Sequence, residues 1–251
     1  MTRQEKIRFL VYRTIGNFFI LLTIFGFLAT FGPVFYYEAQ FKISNLIGVR
    51  YKVAGDNVPD FGQILDRRRA LADKNSVENA SQGLLNAMVS GEKEQILVPP
   101  NTEFSVVIPK IGASEKVSIN VDPSNEKEFQ EVLKYSVAHA RGSAYPGLNG
   151  NTYLFAHSAA TFWDVGRYNA VFYLIKDLES GDDITVFYRN KRYNYKVYDK
   201  KIVEADEVQY VNANVGSGEV LTLQTCWPPG TAWKRLLVFA KPELPNAISN
   251  K

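Results

Sequence analysis

Two side chains with chemical potential flank one short loop near the C-terminus. Cys226, the only cysteine in the 251-residue chain, closes an apolar and β-branched run, Leu221-Thr-Leu-Gln-Thr-Cys226. Arg235 opens the next such run, Arg235-Leu-Leu-Val-Phe-Ala240. Pro228, Pro229 and Gly230 between them cannot continue a strand. The pattern predicts strand, loop, strand, a hairpin that carries both side chains to one rim of a sheet. A thiol is a nucleophile only as thiolate, and a fixed positive charge or a histidine favours that form. The chain has two histidines, His139 and His157. His157 ends a second apolar run, Asn151-Thr-Tyr-Leu-Phe-Ala-His157. One nucleophile and one proton carrier are the minimum for thiol acyl transfer. By residue type alone a lone Cys at a strand end is more often a small buried hydrophobe. Its place at a strand-to-loop boundary, the Arg one loop away and the His in a matching setting point to chemistry instead.

The elements that must position these groups read as strands. From residue 103 onward, apolar and β-branched runs predict strands over 104–111, 116–121, 152–157, 184–188, 192–203, 220–225 and 235–240. Arg189-Asn190-Lys191 reads as a hairpin turn, and 126–135 as a short helix with Phe129, Val132 and Leu133 on one side. The block 139–150, rich in Gly, Ser, Pro and Asn, reads as loop. A short helix is expected around 170–174, and one helical turn within the polar stretch 204–218. Six to eight short strands with few helices argue for an all-β barrel or sandwich.

The N-terminus is basic, with Arg3, Lys6, Arg8 and Arg13 against Glu5, and residues 14–37 carry no charge. As helix these residues would extend about 36 Å, enough to cross a bilayer core. No small-x-small cleavage site follows Phe31, so an uncleaved anchor is expected rather than a signal peptide. The basic flank places the N-terminus in the cytoplasm and the bulk outside, with Tyr36 and Tyr37 at the outer interface. Residues 38–100 form a mixed segment. It holds a turn at 55–59, a charged run at 65–74 around Arg67-Arg68-Arg69 that reads as a solvated helix face, and helical spacing over 77–89. Val98-Pro-Pro-Asn101 marks entry to the next domain. The expected organisation is a cytoplasmic tail at 1–13, a transmembrane helix at 14–37, a linker and helical segment at 38–100, and a β-domain at 101–245.

Three stretches resemble the sortase family. Thr222-Leu-Gln-Thr-Cys226, with Arg235-Leu-Leu-Val nine positions after the Cys, is similar to its signature. His139-Ala-Arg-Gly-Ser-Ala-Tyr-Pro-Gly-Leu-Asn-Gly-Asn151, running on to His157, resembles its second block, and Phe104-Ser-Val-Val-Ile-Pro-Lys-Ile-Gly112 its opening strand. The resemblance implies a closed eight-stranded β-barrel with short helices behind an N-terminal membrane helix. It also implies a cysteine transpeptidase of Gram-positive-type cell envelopes that cleaves a C-terminal sorting signal. Cys226 would then be the nucleophile, His157 the general acid and base, and Arg235 the donor to substrate and oxyanion. Backbone N–H groups near Cys226 and Trp227 would complete the oxyanion site. Thr225, Trp227, Ser158 and His139 are candidates for substrate binding, and Trp227, Pro228, Pro229 and Trp233 for one wall of a peptide groove. Asp164 is a candidate to orient His157. The implied partners are sorting-signal peptides, an amine acceptor (a cell-wall precursor or a pilin lysine) and the bilayer. Cys-x-Pro-x-Gly before Arg-Leu-Leu-Val resembles the pilin-polymerising class C. The lid motif and C-terminal membrane segment of that class are not seen, and a class A, D or E role stays open.

Composition narrows the alternatives. A net charge of +3 makes no case for nucleic acid, and a single Cys excludes an intramolecular disulfide. No Cys/His cluster has metal-ligand spacing, and no cofactor is expected. A membrane-tethered cysteine peptidase would use the same residues. A non-catalytic envelope β module would treat them as coincidence.

Overall fold

A computed structural model of the chain describes residues 3–53, 94–158, 170–207, 209–212, 218–229 and 231–243. The turn expected at 55–59, the charged run at 65–74, the helix at 77–89 and Asp164 lie outside the described residues.

The first element, α1 (Arg3–Ile47), is a single helix of 45 residues, about 68 Å long at the usual rise. It contains the whole of the expected span and runs past both ends of it. Arg3–Leu28, with mean hydropathy 1.6 and none of it buried, is long and apolar enough to cross a membrane. Its large side chains, among them Phe18, Phe19, Leu21 and Phe25, stand exposed to their surroundings. A helix that buries none of its apolar surface in protein suits lipid rather than water.

A strand β1 (Arg50–Val53) follows and pairs in parallel with β2 (Glu94–Leu97). This two-stranded patch, unforeseen because four-residue runs carry too little periodicity, covers Val107 and Phe187 with Leu97, Tyr51 and Val53.

The remaining strands are β3 (Phe104–Ile108), β4 (Ala113–Val121), β5 (Val137–Ala140), β6 (Gly150–Phe155), β7 (Asp183–Tyr188), β8 (Lys191–Glu204), β9 (Glu219–Trp227) and β10 (Lys234–Pro242). They close into a barrel in the order β10-β8-β7-β3-β4-β5-β6-β9, so the expected eight-stranded barrel is present. Two adjacent pairs, β4–β5 and β6–β9, are parallel. Every position of β3 is buried, because its inner face joins the barrel core and its outer face lies under the β1–β2 patch.

Local chemistry sets the joints. Helix α2 (Glu126–Leu133) starts at Asn125, whose side chain accepts from the Glu128 N–H. Its Phe129 packs edge-on against Phe155, with ring centroids 6.2 Å apart. The β7–β8 turn is made by Arg189 and Asn190 at φ 50° and 61°. Positive φ at both central residues matches a tight hairpin to the twist of its strands. The expected helix near 170–174 is a 3₁₀ helix, Ala170–Asp177, whose Phe172 and Ile175 enter the main core. A helical turn also forms at Gln209–Asn212. The block 139–150 is loop only between its ends: His139 and Ala140 close β5, and Gly150 opens β6.

Candidate active site

The site is built by three neighbouring strands. In the antiparallel β9–β10 pair, Cys226 lies directly opposite Arg235. Opposed residues project to the same face, so thiol and guanidinium share one side of the sheet. On the other flank, β6 runs parallel to β9, with Phe155 beside Gln224. The chain keeps this register one step beyond the strand: the Ala156 N–H donates to the Gln224 carbonyl at 3.1 Å, and Thr225 Oγ1 donates to the Ala156 carbonyl at 3.1 Å. His157 is the next residue after Ala156, as Cys226 is the next after Thr225. The thiol thus has a cationic side chain opposite it on one neighbouring strand, and the chain leaving the other neighbouring strand continues into His157.

Cys226 is a free, partly buried thiol. Burial pushes its pKa up, and the positive charge of Arg235 pulls the other way without winning. Burial thus favours the neutral thiol, and a nearby proton acceptor would favour its ionisation. Arg235 Nη1 donates to the carbonyls of Ala232 at 3.0 Å and Lys234 at 3.1 Å. These bonds tie the guanidinium to its own loop. Among the described residues, Nε and Nη2 donate to none, which leaves donors for an incoming group.

Three of the four expected substrate-binding side chains are not at the surface. Thr225 is 2% exposed and Ser158 3%, so both are buried. His139 is 1% exposed, inside the barrel. Its ring stacks on Tyr145 at 4.6 Å, and Tyr145 on Tyr188 at 5.1 Å. His139 Nε2 donates to the Ala144 carbonyl at 3.0 Å, and Nδ1 faces the Asn120 N–H at 3.4 Å. With both ring nitrogens engaged and both ring faces covered, it has nothing to offer a substrate. Trp227 remains at the rim, half-buried against the core, and Trp233 is 72% exposed at the far end of the same loop.

Two residues on this face carried no signal strong enough to be singled out. Gln224, two before Cys226 on the same side of β9, accepts a hydrogen bond from Tyr153 Oη at 2.5 Å. Burial pushes the Tyr153 phenol well above its ordinary pKa, and the charge of Arg235 opposes this, so the ring lies within the electrostatic reach of Arg235. A polar Gln inside an otherwise apolar strand was the available clue.

A family model for the sortase domain matches residues 106–243, more than half of the chain. The chain belongs to the sortase family. A similar curated relative is Sortase D of Bacillus subtilis (strain 168), 26% identical over 177 residues that cover 69% of this sortase and 76% of the relative. Among solved structures, sortase C-1 from Actinomyces oris is 26% identical with a TM-score of 0.45, over 57% of this chain and 74% of that one. Sortase C1 from Streptococcus agalactiae is 26% identical with a TM-score of 0.47, over 59% and 70% respectively. Membership makes this sortase one of a family of cysteine transpeptidases, and its N-terminal apolar helix fits the single-pass anchor of an envelope enzyme.

Proposed function

We propose that this sortase cleaves a C-terminal sorting signal of exported proteins through a thioester on Cys226 and passes the acyl group to an amine. The observation that supports the reading is the β9–β10 register, which faces Cys226 with Arg235, together with the β6–β9 pairing, beyond whose end the chain continues into His157. His157 takes the thiol proton as Cys226 Sγ attacks the scissile carbonyl. The imidazolium returns that proton to the leaving amine as the C–N bond breaks, and the thioester remains. An incoming amine then gives a proton to His157 while attacking the thioester. The sulfur leaves as thiolate and recovers the proton. A thiol whose ionisation burial disfavours suits this order, because ionisation and attack share one proton acceptor. Arg235 donates to the oxyanion of both tetrahedral species with N–H groups in a fixed plane. The acceptor is a cell-wall precursor amine or a pilin lysine. Behind its basic N-terminus the chain is anchored by α1, with the barrel outside the cell.

The test is incubation of the purified chain with a peptide library and an amine acceptor, followed by mass analysis of what is joined. The expected products are acyl-amine adducts, with a thioester trapped on the wild type and both absent in Cys226→Ala. Cleavage that ignores the amine would make this a peptidase, and adducts formed by Cys226→Ala would sink the mechanism.

A further inference from the structure

We propose that Gln224 binds the backbone of the acyl-donor peptide, its carboxamide held by Tyr153 so that Nε2 donates to a peptide carbonyl beside Cys226. The assignment rests on the reading of Cys226 as the nucleophile. It starts from Tyr153, which is 2% exposed. A buried phenol must place its O–H on an acceptor, and Gln224 Oε1 at 2.5 Å is the one it has among the described residues. The reverse orientation, with Nε2 donating to the phenol, would strand the Tyr153 proton in a buried site. Oε1 therefore points inward, and Nε2 is left to face outward. Among the described residues Nε2 has no acceptor, and the Gln224 side chain is partly exposed. The backbone of Gln224 is locked as well, its carbonyl accepting from the Ala156 N–H at 3.1 Å.

Gln224 sits two residues from Cys226 on the same face of β9. Two residues of strand span about 7 Å, the advance of two residues in an extended peptide. A peptide laid over Cys226 along the strand presents a carbonyl near Nε2 about two residues from its scissile bond. The chemistry selects a backbone carbonyl or a neutral polar acceptor. Held on a buried phenol, the amide loses little freedom on binding, which is how a single neutral hydrogen bond retains its worth.

Gln224→Met keeps length and volume but removes the amide, and Tyr153→Phe removes the hydroxyl that holds it. Melting temperatures establish that each variant folds. The substrate is the best-cleaved peptide from the library above, together with analogues in which one backbone amide at a time is an ester, a weaker acceptor. For Gln224→Met the expected result is a KM raised up to about tenfold with kcat within threefold. One ester position that weakens the wild type should have no further effect on this variant. Tyr153→Phe should shift KM the same way by a smaller factor. An unchanged KM, or equal ester sensitivity at every position in wild type and Gln224→Met, overturns the assignment while leaving the transpeptidase intact. So does a fall in kcat alone, which would make the pair a structural prop. Failure of the wild type to turn over any peptide instead removes the transpeptidase reading, and this assignment with it.

Discussion

The two histidines have the same side chain and opposite surroundings. His139 is buried between aromatic rings, and desolvation lowers its pKa, with the Ala144 carbonyl working against the shift. The neutral Nε2–H tautomer suits its three contacts, with Nε2–H facing the Ala144 carbonyl and Ser143 Oγ and Nδ1 accepting from the Asn120 N–H. We expect His139→Ala to cost about 2–4 kcal/mol of stability, as truncating a large buried side chain does, with activity preserved wherever the variant remains folded. His157→Ala should melt within a few degrees of wild type and lose about 10²–10⁴-fold in rate. Melting curves and transpeptidation assays on both variants check this, and a rate loss confined to His139→Ala would reverse the roles. The lowered pKa also has a pH consequence. Stability from a neutral buried His is complete above the ordinary value of 6.5 and is lost as pH falls below it. Between pH 6.5 and 5 the wild type should lose melting temperature more steeply than His139→Phe. For the thiol, iodoacetamide labelling of Cys226 should accelerate with pH through a midpoint above the ordinary 9.0, and Arg235→Met should move the midpoint higher. A midpoint near neutrality would mean a resting thiolate. The positions of Cys226, His157 and Arg235 at or beside strand ends were legible because each sits where an apolar run meets a loop. The burial of Thr225, Ser158 and His139 was not, since a polar side chain in such a run faces core or solvent according to the strand's partners, which the run does not name.

Those partners are fixed at the level of the strand ladder. Runs for β3, β4 and β6 to β10 stood out by composition, and their ends were read to within a few residues. Hidden were the parallel pairings β4–β5 and β6–β9, because period-two alternation describes a strand and not its neighbour. Strand β5 was hidden too: Val-Ala-His-Ala is short and merges into a Gly-rich block. The β6–β9 pairing matters most, since on the proposed mechanism the chain leaving β6 carries the proton carrier, His157. At its open end it is clasped by Thr225 Oγ1 on the Ala156 carbonyl, both residues being buried. Thr225→Val keeps the shape and leaves that carbonyl without its hydroxyl partner, at a cost of about 1–3 kcal/mol. The end of β6 should then shift, and kcat should fall about tenfold or more while KM changes little. Thr225→Ser, which keeps the hydroxyl, should recover most of the rate. A Val variant with wild-type kcat would show that the clasp does not position His157.

Across the whole molecule, the anchor helix and the barrel meet at one seat. Glu38, beyond the apolar part of α1, accepts hydrogen bonds from Tyr173 Oη at 3.1 Å and Lys176 Nζ at 3.0 Å. Phe41, one turn further on, packs against Tyr173 and Leu174. These partners belong to the 3₁₀ helix Ala170–Asp177, whose opposite side feeds Phe172 and Ile175 into the main core. The uncharged run 14–37 was legible as part of a long apolar helix. That the helix continues to Ile47 and docks was not, because the docking residues are an ordinary mixture of polar and apolar types until the 3₁₀ helix is placed beside them. On the proposed topology, the seat would hold the barrel over the membrane more tightly than a flexible tether. Glu38→Lys puts a second positive charge against Lys176 and removes the acceptor for Tyr173. Combined with Phe41→Ala, it should release α1 from the barrel without touching the core side of the 3₁₀ helix. In detergent-solubilised chain, amide exchange over residues 170–177 should accelerate at least severalfold. Exchange over β9 and the labelling rate of Cys226 should stay at wild-type values, since the thiol takes its environment from β6 and β10. Unchanged exchange in 170–177 would mean that the seat contributes nothing to the local stability of the 3₁₀ helix. Accelerated exchange spreading into β9 would instead make the anchor part of what holds the active site.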